Sequence, residues 1–103
     1  MATPEPRASP LTDLGLTAYE ARAYLALITR DRYTAAELAR QAGIPRQRVY
    51  DVLDGLVRRG LAAPVQGAVR RFTATSPDAA VELLVATRRD ELNALSRDAS
   101  VLA

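Results

Sequence analysis

The sequence contains no cysteine, no histidine and no tryptophan in its 103 residues. Without cysteine there is neither a disulfide framework nor a thiolate nucleophile, and nothing points to secretion. Without histidine the commonest general base is missing, and with both residue types gone so are the side chains that transition metals prefer. An enzyme would have to run on carboxylates alone, and no Asp/Glu constellation is there to serve it. The expectation is a non-enzyme with no metal and no cofactor. Aromatic residues make up only 5% of the chain, so its core must be built from Leu, Val, Ile and Ala. No apolar run approaches the roughly 18–20 residues needed to cross a bilayer. The N-terminus also lacks the apolar region of a signal peptide. The expected location is the cytoplasm, with no membrane association.

What is present is an ordinary globular composition, 49% hydrophobic and 25% charged, at a length that suits one domain. The net charge of +2 is unevenly spread. Residues 1–33 are neutral, with four arginines and four acids. Residues 34–71 carry seven arginines against three acids, a net of +4, and residues 72–103 carry three against five, a net of −2. A positive middle third is the footprint of a nucleic-acid contact rather than of a uniformly basic protein. All 14 basic residues are arginine. Guanidinium forks suit phosphate and guanine better than ammonium groups do, although coding from a GC-rich genome produces the same bias.

Residues 1–10, with Pro4, Pro6 and Pro10, lack periodicity and are expected to form a flexible arm with a solvated Arg7. Residues 11–76 then carry the signals of one domain, and 77–103 those of a long final helix. Thr17 followed three residues later by Glu20 is a capping box. Leu16 can staple onto Ala21, and Ala21, Tyr24, Leu25 and Ile28 recur at helical spacing, with the helix fading near residues 30–33. Thr34 and Glu37 repeat the capping box for a short second helix whose apolar face is Leu38 with Ala39 or Ala42. Gly43 ends that helix as a left-handed residue. Pro45 opens a third helix, about 45–59, where its missing N–H costs nothing. Val49, Val52, Leu53, Leu56 and Val57 face the core, and Gly60 closes the helix. Gly55 inside it implies close packing, since glycine there costs about 1 kcal/mol against alanine. Residues 61–66 and 68–73, split at Gly67, are expected as a hairpin wing with Pro64 on an edge strand and Phe72 in the core. Ser76 and Pro77 start the last helix, which runs to about Ser100.

Two helices joined by Ala42, Gly43 and Ile44, then a third helix and a hairpin, give the order of a winged helix-turn-helix. The expected fold class is therefore mostly α with a small β-hairpin wing, plus a long C-terminal helix. The third helix has one face committed to the core. Its other face, in the N-terminal half, carries Arg46, Gln47, Arg48, Tyr50 and Asp51, a donor-rich cluster suited to major-groove base edges. Arg46 and Arg48 can grip guanine in a fork and Gln47 can pair with adenine; the plain alternative for each is a solvated surface side chain. Tyr50 is expected half-buried with its hydroxyl toward phosphate, and Asp51 is expected to orient a neighbouring arginine. On the wing (about 61–73), Arg70 is favoured over Arg71 for phosphate or the minor groove. Thr34 and Arg40 are candidate phosphate contacts at the second helix, although Thr34 already has a role as a cap.

The runs LGLTAYEARAYLALI, TAAELARQAGIPRQRVYDVLDGLVRRGL and RRFTATSPDAAVELL resemble the TrmB-type family of winged helix-turn-helix transcriptional regulators. The resemblance covers about residues 13–95. Its most specific pieces are Leu16 to Ala21, and Gly43, Ile44 and Pro45 followed by Val49 and Tyr50. It implies a dimeric, sequence-specific regulator of transcription that acts on double-stranded DNA in the nucleoid and reads bases with Arg46, Gln47, Arg48 and Tyr50. Fuller family members continue into a C-terminal effector domain, which in some binds sugars. This chain is expected either as a piece of such a protein or as a stand-alone domain signalled by another route, and no sugar response is carried over.

In the final helix Val85, Arg88, Leu92, Leu95, Ala99 and Leu102 follow 3-4 spacing, broken by Arg88. Val81, Leu83 and Leu84 are expected to pack on the domain itself. Val85, Leu92, Leu95, Ala99 and Leu102 are then the candidate homodimer contacts, the alternative being one helix tucked against its own core. A second function class stays open beside DNA reading: a winged helix used as a protein-protein interaction module, its arginines facing an acidic partner.

Overall fold

The computed structural model describes residues 9–102. Their element order is α1 (Ser9–Asp13), α2 (Ala18–Leu27), α3 (Ala35–Ala42), α4 (Arg46–Arg58), β1 (Ala62–Val65), β2 (Arg71–Ala74) and α5 (Pro77–Ser100). This is a winged helix-turn-helix followed by a long C-terminal helix. The short α1 begins inside the segment expected as an arm; residues 1–8, Arg7 among them, lie outside the described residues, as does Ala103.

Two reciprocal caps set the helix-turn-helix. At α2 the Thr17 amide donates to Glu20 Oε1 at 2.8 Å and the Glu20 amide donates to Thr17 Oγ1 at 3.1 Å. At α3 the Thr34 amide donates to Glu37 Oε1 at 2.9 Å and the Glu37 amide to Thr34 Oγ1 at 3.1 Å. Each box satisfies two of the amides that a helix start leaves without partners. Gly43 closes α3 at φ +68°, a conformation that side-chain-bearing residues rarely adopt. The chain then turns sharply enough for Ile44 to plug into the core.

The core is where α2, α3 and α4 converge under the hairpin. Leu27, Leu38, Val49, Leu53, Leu56, Leu61 and Phe72 are essentially inaccessible, and each such burial contributes about 1.5–3 kcal/mol. The α2 face differs from the expected one. That helix stops at Leu27, its inward residues are Ala21, Ala23, Tyr24, Ala26 and Leu27, Leu25 is half-buried and Ile28 is exposed. Ile28 keeps helical geometry and its bond to the Tyr24 carbonyl, but it lies at the edge of the buried face rather than in it. Val57 is likewise only half-buried.

The hairpin strands are shorter and further apart than expected, with residues 66–70 forming the loop between them. Their antiparallel register pairs Ala62 with Ala74 and Pro64 with Phe72. A third partner explains this register. Tyr33, just before α3, exchanges both backbone hydrogen bonds with Phe72, at 3.0 and 2.7 Å. Phe72 thus directs its N–H and C=O away from β1, and Pro64 opposite it leaves no ladder bond vacant. Inside, the buried Tyr24 hydroxyl donates to the Thr75 carbonyl at 2.7 Å, tying α2 to the wing's exit, and burial pushes this phenol's pKa up.

Ser76 stands at the α5 N-cap without making a side-chain capping bond, so Pro77 in the first turn supplies the start signal. Along α5 only Ala80 and Leu84 are buried; Val81, expected against the domain, is exposed, while Leu83, though also partly open, lays its Cδ1 beside Gly60. One turn of this helix meets the body, and that turn can cover only a narrow stripe.

The α3 cap carries a pH dependence. The Thr34 backbone amide, aided by its hydroxyl and by Arg30 and Arg71, holds the Glu37 carboxyl below the usual carboxylate range. Its contribution to stability is fully present above roughly pH 5 and is lost as pH falls through the depressed value. Melting temperatures measured from neutral pH downward should therefore fall more steeply for the native chain than for Glu37→Gln. Parallel curves would remove Glu37 from the acid response.

Candidate nucleic-acid interface

The α4 sequence alternates between a core stripe and an outward stripe at helical spacing. Val49, Val52, Leu53 and Leu56 point inward, while Arg46, Gln47, Arg48, Tyr50 and Asp51 are exposed. Tyr50 is 53% exposed, about half covered as expected, and its hydroxyl has no hydrogen-bond partner among the described residues. No hydrogen bond or ion pair engages the side chains of Arg46, Gln47, Arg48 or Tyr50 among the described residues. Their donors are free for an external acceptor. Asp51, expected to orient an arginine, forms no ion pair among the described residues; it lines a cleft between the start of α2 and α4 together with Arg48, Tyr19 and Thr17.

The group that does touch Arg48 is the Tyr19 ring, whose centroid lies 5.5 Å from the Arg48 guanidinium carbon. The Arg22 guanidinium carbon lies 5.5 Å from the same centroid. Arg22 Nη2 also donates to the carbonyls of Ala42 and Gly43, at 2.9 and 2.8 Å, sealing the end of α3 at the turn. Sequence reasoning missed Tyr19 and Arg22. Their three-residue spacing puts them on one face of α2, but nothing local reveals that the face meets α4.

The arginines of the positive middle third separate into two kinds. Arg40 in the last turn of α3, Arg46, Arg48, Arg58, Arg70 and Arg71 are exposed. Arg59 is withdrawn: its Nη2 lies 3.2 Å from Glu20 Oε1, its Nε donates to Glu20 Oε2 at 3.3 Å, and Nη2 also donates to the Gly15 carbonyl at 3.0 Å. Arg59 is therefore a structural residue, and Glu20 is the one buried charged side chain among the described residues. On the wing, Arg70 precedes β2 with its guanidinium carbon 5.2 Å from the Phe72 ring centroid. Arg71, the first residue of β2, comes close enough to Glu37 to help lower its pKa. Thr34 is half-buried with its hydroxyl oxygen accepting the Glu37 amide, so capping occupies it.

In α5 the expected dimer residues are mostly in the open. Leu92 and Leu95 are 52% and 61% exposed, Ala99 is exposed and Val85 is half-buried. Leu102 lies beyond the helix end, in the following turn. Arg88, which breaks the apolar spacing, pairs with Glu91 at 3.7 Å. No helix among the described residues is long and apolar enough to cross a membrane.

Comparison with known proteins agrees with this architecture. The family described as sugar-specific transcriptional regulator TrmB matches residues 11–78. The HTH-type sugar sensing transcriptional regulator TrmBL1 of Pyrococcus furiosus is 34% identical over 87 residues, covering 84% of this chain and 25% of its own length. The DNA-binding HTH-type transcriptional repressor TrmBL2 of Thermococcus kodakarensis is 39% identical over 70 residues, 68% of this chain and 26% of its own. The chain thus spans about a quarter of the length of these two relatives. Among solved structures, TrmBL2, an archaeal chromatin protein with a novel mode of DNA binding, superposes with a TM-score of 0.75 at 31% identity, over 92% of this chain and 40% of that one. A MarR family transcriptional regulator of Silicibacter pomeroyi gives a TM-score of 0.61 at 26% identity, over 85% and 66% of the two chains. These relatives are transcriptional regulators, not enzymes. With the match spanning the helix-turn-helix, the wing and the start of α5, the chain belongs to the TrmB family of transcriptional regulators.

Proposed function

We propose that this chain binds double-stranded DNA in a sequence-specific manner as a homodimer and regulates transcription in the cytoplasm, on the nucleoid. Residues 11–76 are the DNA-binding unit and residues 77–103 the dimerisation segment. The N-terminal half of α4 enters the major groove, where Arg46, Gln47, Arg48 and Tyr50 meet base edges and phosphates. Arg70 and Arg71 of the wing contact the backbone or minor groove, and Arg40 and the Thr34 cap lie by phosphate. The observation that carries this reading is the row of exposed, unengaged hydrogen-bond donors along the outward stripe of α4. The relatives described as DNA-binding regulators support it. Leu92, Leu95 and Ala99 support the dimer, because they continue the 3-4 spacing on a stretch of α5 that its own domain leaves uncovered.

Selection of bound duplexes from a random library tests the reading directly. A two-fold site is expected, with half-site centres about one DNA turn, ~34 Å, apart. On the selected duplex, log K against log salt should slope about −5 to −7, for roughly 6–8 phosphates neutralised per dimer. No enrichment, or affinity indifferent to salt, would defeat the DNA reading. An enriched site without two-fold character would defeat the dimer alone.

A further inference from the structure

We infer that Tyr19, on α2, is a positioning residue for DNA specificity: it braces the Arg48 guanidinium in the pose that reads a base. The inference rests on the DNA reading above and extends it to a residue outside the recognition helix. An exposed arginine ordinarily samples many rotamers, and freezing it upon binding costs affinity and blurs its choice of base. Here the Arg48 guanidinium carbon lies 5.5 Å from the centroid of the Tyr19 ring, within the range of a cation–π contact. Among the described residues no carboxylate pairs with it, Asp51 beside the same cleft included.

The ring is itself held. Arg22 shares it at 5.5 Å and is pinned through Nη2 to the Ala42 and Gly43 carbonyls of the helix-turn-helix turn. The contacts therefore run from the turn through Arg22 and Tyr19 to Arg48, and they register Arg48 against the backbone that sets the angle of α4. A cation–π contact leaves the in-plane N–H donors of a guanidinium unused. The fork needed for guanine O6 and N7 stays open while the group is braced. An ion pair with Asp51 would have consumed those donors.

The test compares the native chain, Tyr19→Leu, Tyr19→Phe and Arg48→Ala in random-duplex selection, followed by competition between the selected site and single-base-pair variants. Arg48→Ala should flatten preference at one position of each half-site. Tyr19→Leu should weaken preference at that same position by about two- to fivefold, leaving the other positions and the salt slope unchanged. Tyr19→Phe, which keeps the ring, should restore it, and Tyr19→Leu added to Arg48→Ala should cause no further loss there. A uniform loss across all positions, or an unchanged preference in Tyr19→Leu, overturns the inference while leaving DNA binding intact. An Arg48→Ala chain with unaltered base preference overturns it too. If the native chain enriches no site, the DNA reading and this inference fall together.

Discussion

The double substitution Arg46→Ala, Arg48→Ala is expected to lower affinity for the selected duplex by at least about a hundredfold, while binding to random duplex falls much less. Each bidentate arginine–guanine contact discriminates by about 1–3 kcal/mol, and two are lost in every half-site. The fold should not suffer. Both side chains are exposed and neither makes an ion pair or hydrogen bond inside the described structure. Surface changes of this kind stay within about 0.5 kcal/mol. Arg70→Ala and Arg71→Ala provide the contrast. A phosphate contact carries no sequence information, so their removal should reduce the salt slope by about one unit per contact and leave base preference alone. Equilibrium binding to specific and random duplex at several salt concentrations separates the two classes. Should the double variant keep its ratio of specific to random affinity, α4 is not the reading element.

Gly55→Ala is expected to destabilise the domain, against the sign that helix propensity predicts. Gly55 is buried in the middle of α4, where alanine is intrinsically better by about 1 kcal/mol. A Cβ at that position, however, collides with the Glu20 carboxylate. The carboxylate cannot simply swing away. Its Oε1 accepts the Thr17 amide of the α2 capping box, and both oxygens engage Arg59 at the end of α4. The methyl group must break the cap and the ion pair or push two helices apart. Overpacking of this kind costs about 1–3 kcal/mol, or about 4–8 °C in Tm per kcal/mol for a domain of this size. Thermal and denaturant unfolding of the two chains decide the sign. A more stable alanine variant would mean that Glu20 does not occupy the space beside Gly55.

The parts of this fold legible in the sequence are those whose cause is local. Thr17 with Glu20, Thr34 with Glu37 and the left-handed Gly43 each act within four residues, and each performs the expected job; Pro45 still marks the start of α4, but as its extended N-cap rather than its first helical residue. The α4 core stripe follows for the same reason, since a period of 3.6 residues assigns Val49, Val52, Leu53 and Leu56 to one side. Contacts across the chain were not legible. The hairpin bounds moved because Phe72 is claimed by Tyr33, 39 residues earlier, and no strand propensity encodes that pairing. Arg59 reads as one more cation of the basic middle third until Glu20, also 39 residues away, takes it out of the surface field. Asp51 was misjudged: it was assigned an arginine partner, and none pairs with it among the described residues. The donor cluster at the start of α4 was legible because it is what remains once the core face is subtracted.

Tyr33 deserves to be counted as a one-residue third strand, and that has a consequence for how the wing can vary. Its paired amide and carbonyl moor the base of the hairpin to the linker ahead of α3, so the tip is cantilevered from a fixed root. Residues inserted or deleted at 66–70 would alter how far the tip extends over a bound surface without shifting the two helices below. Footprint and scaffold are thus separable in this molecule, and the seam between them runs through Phe72.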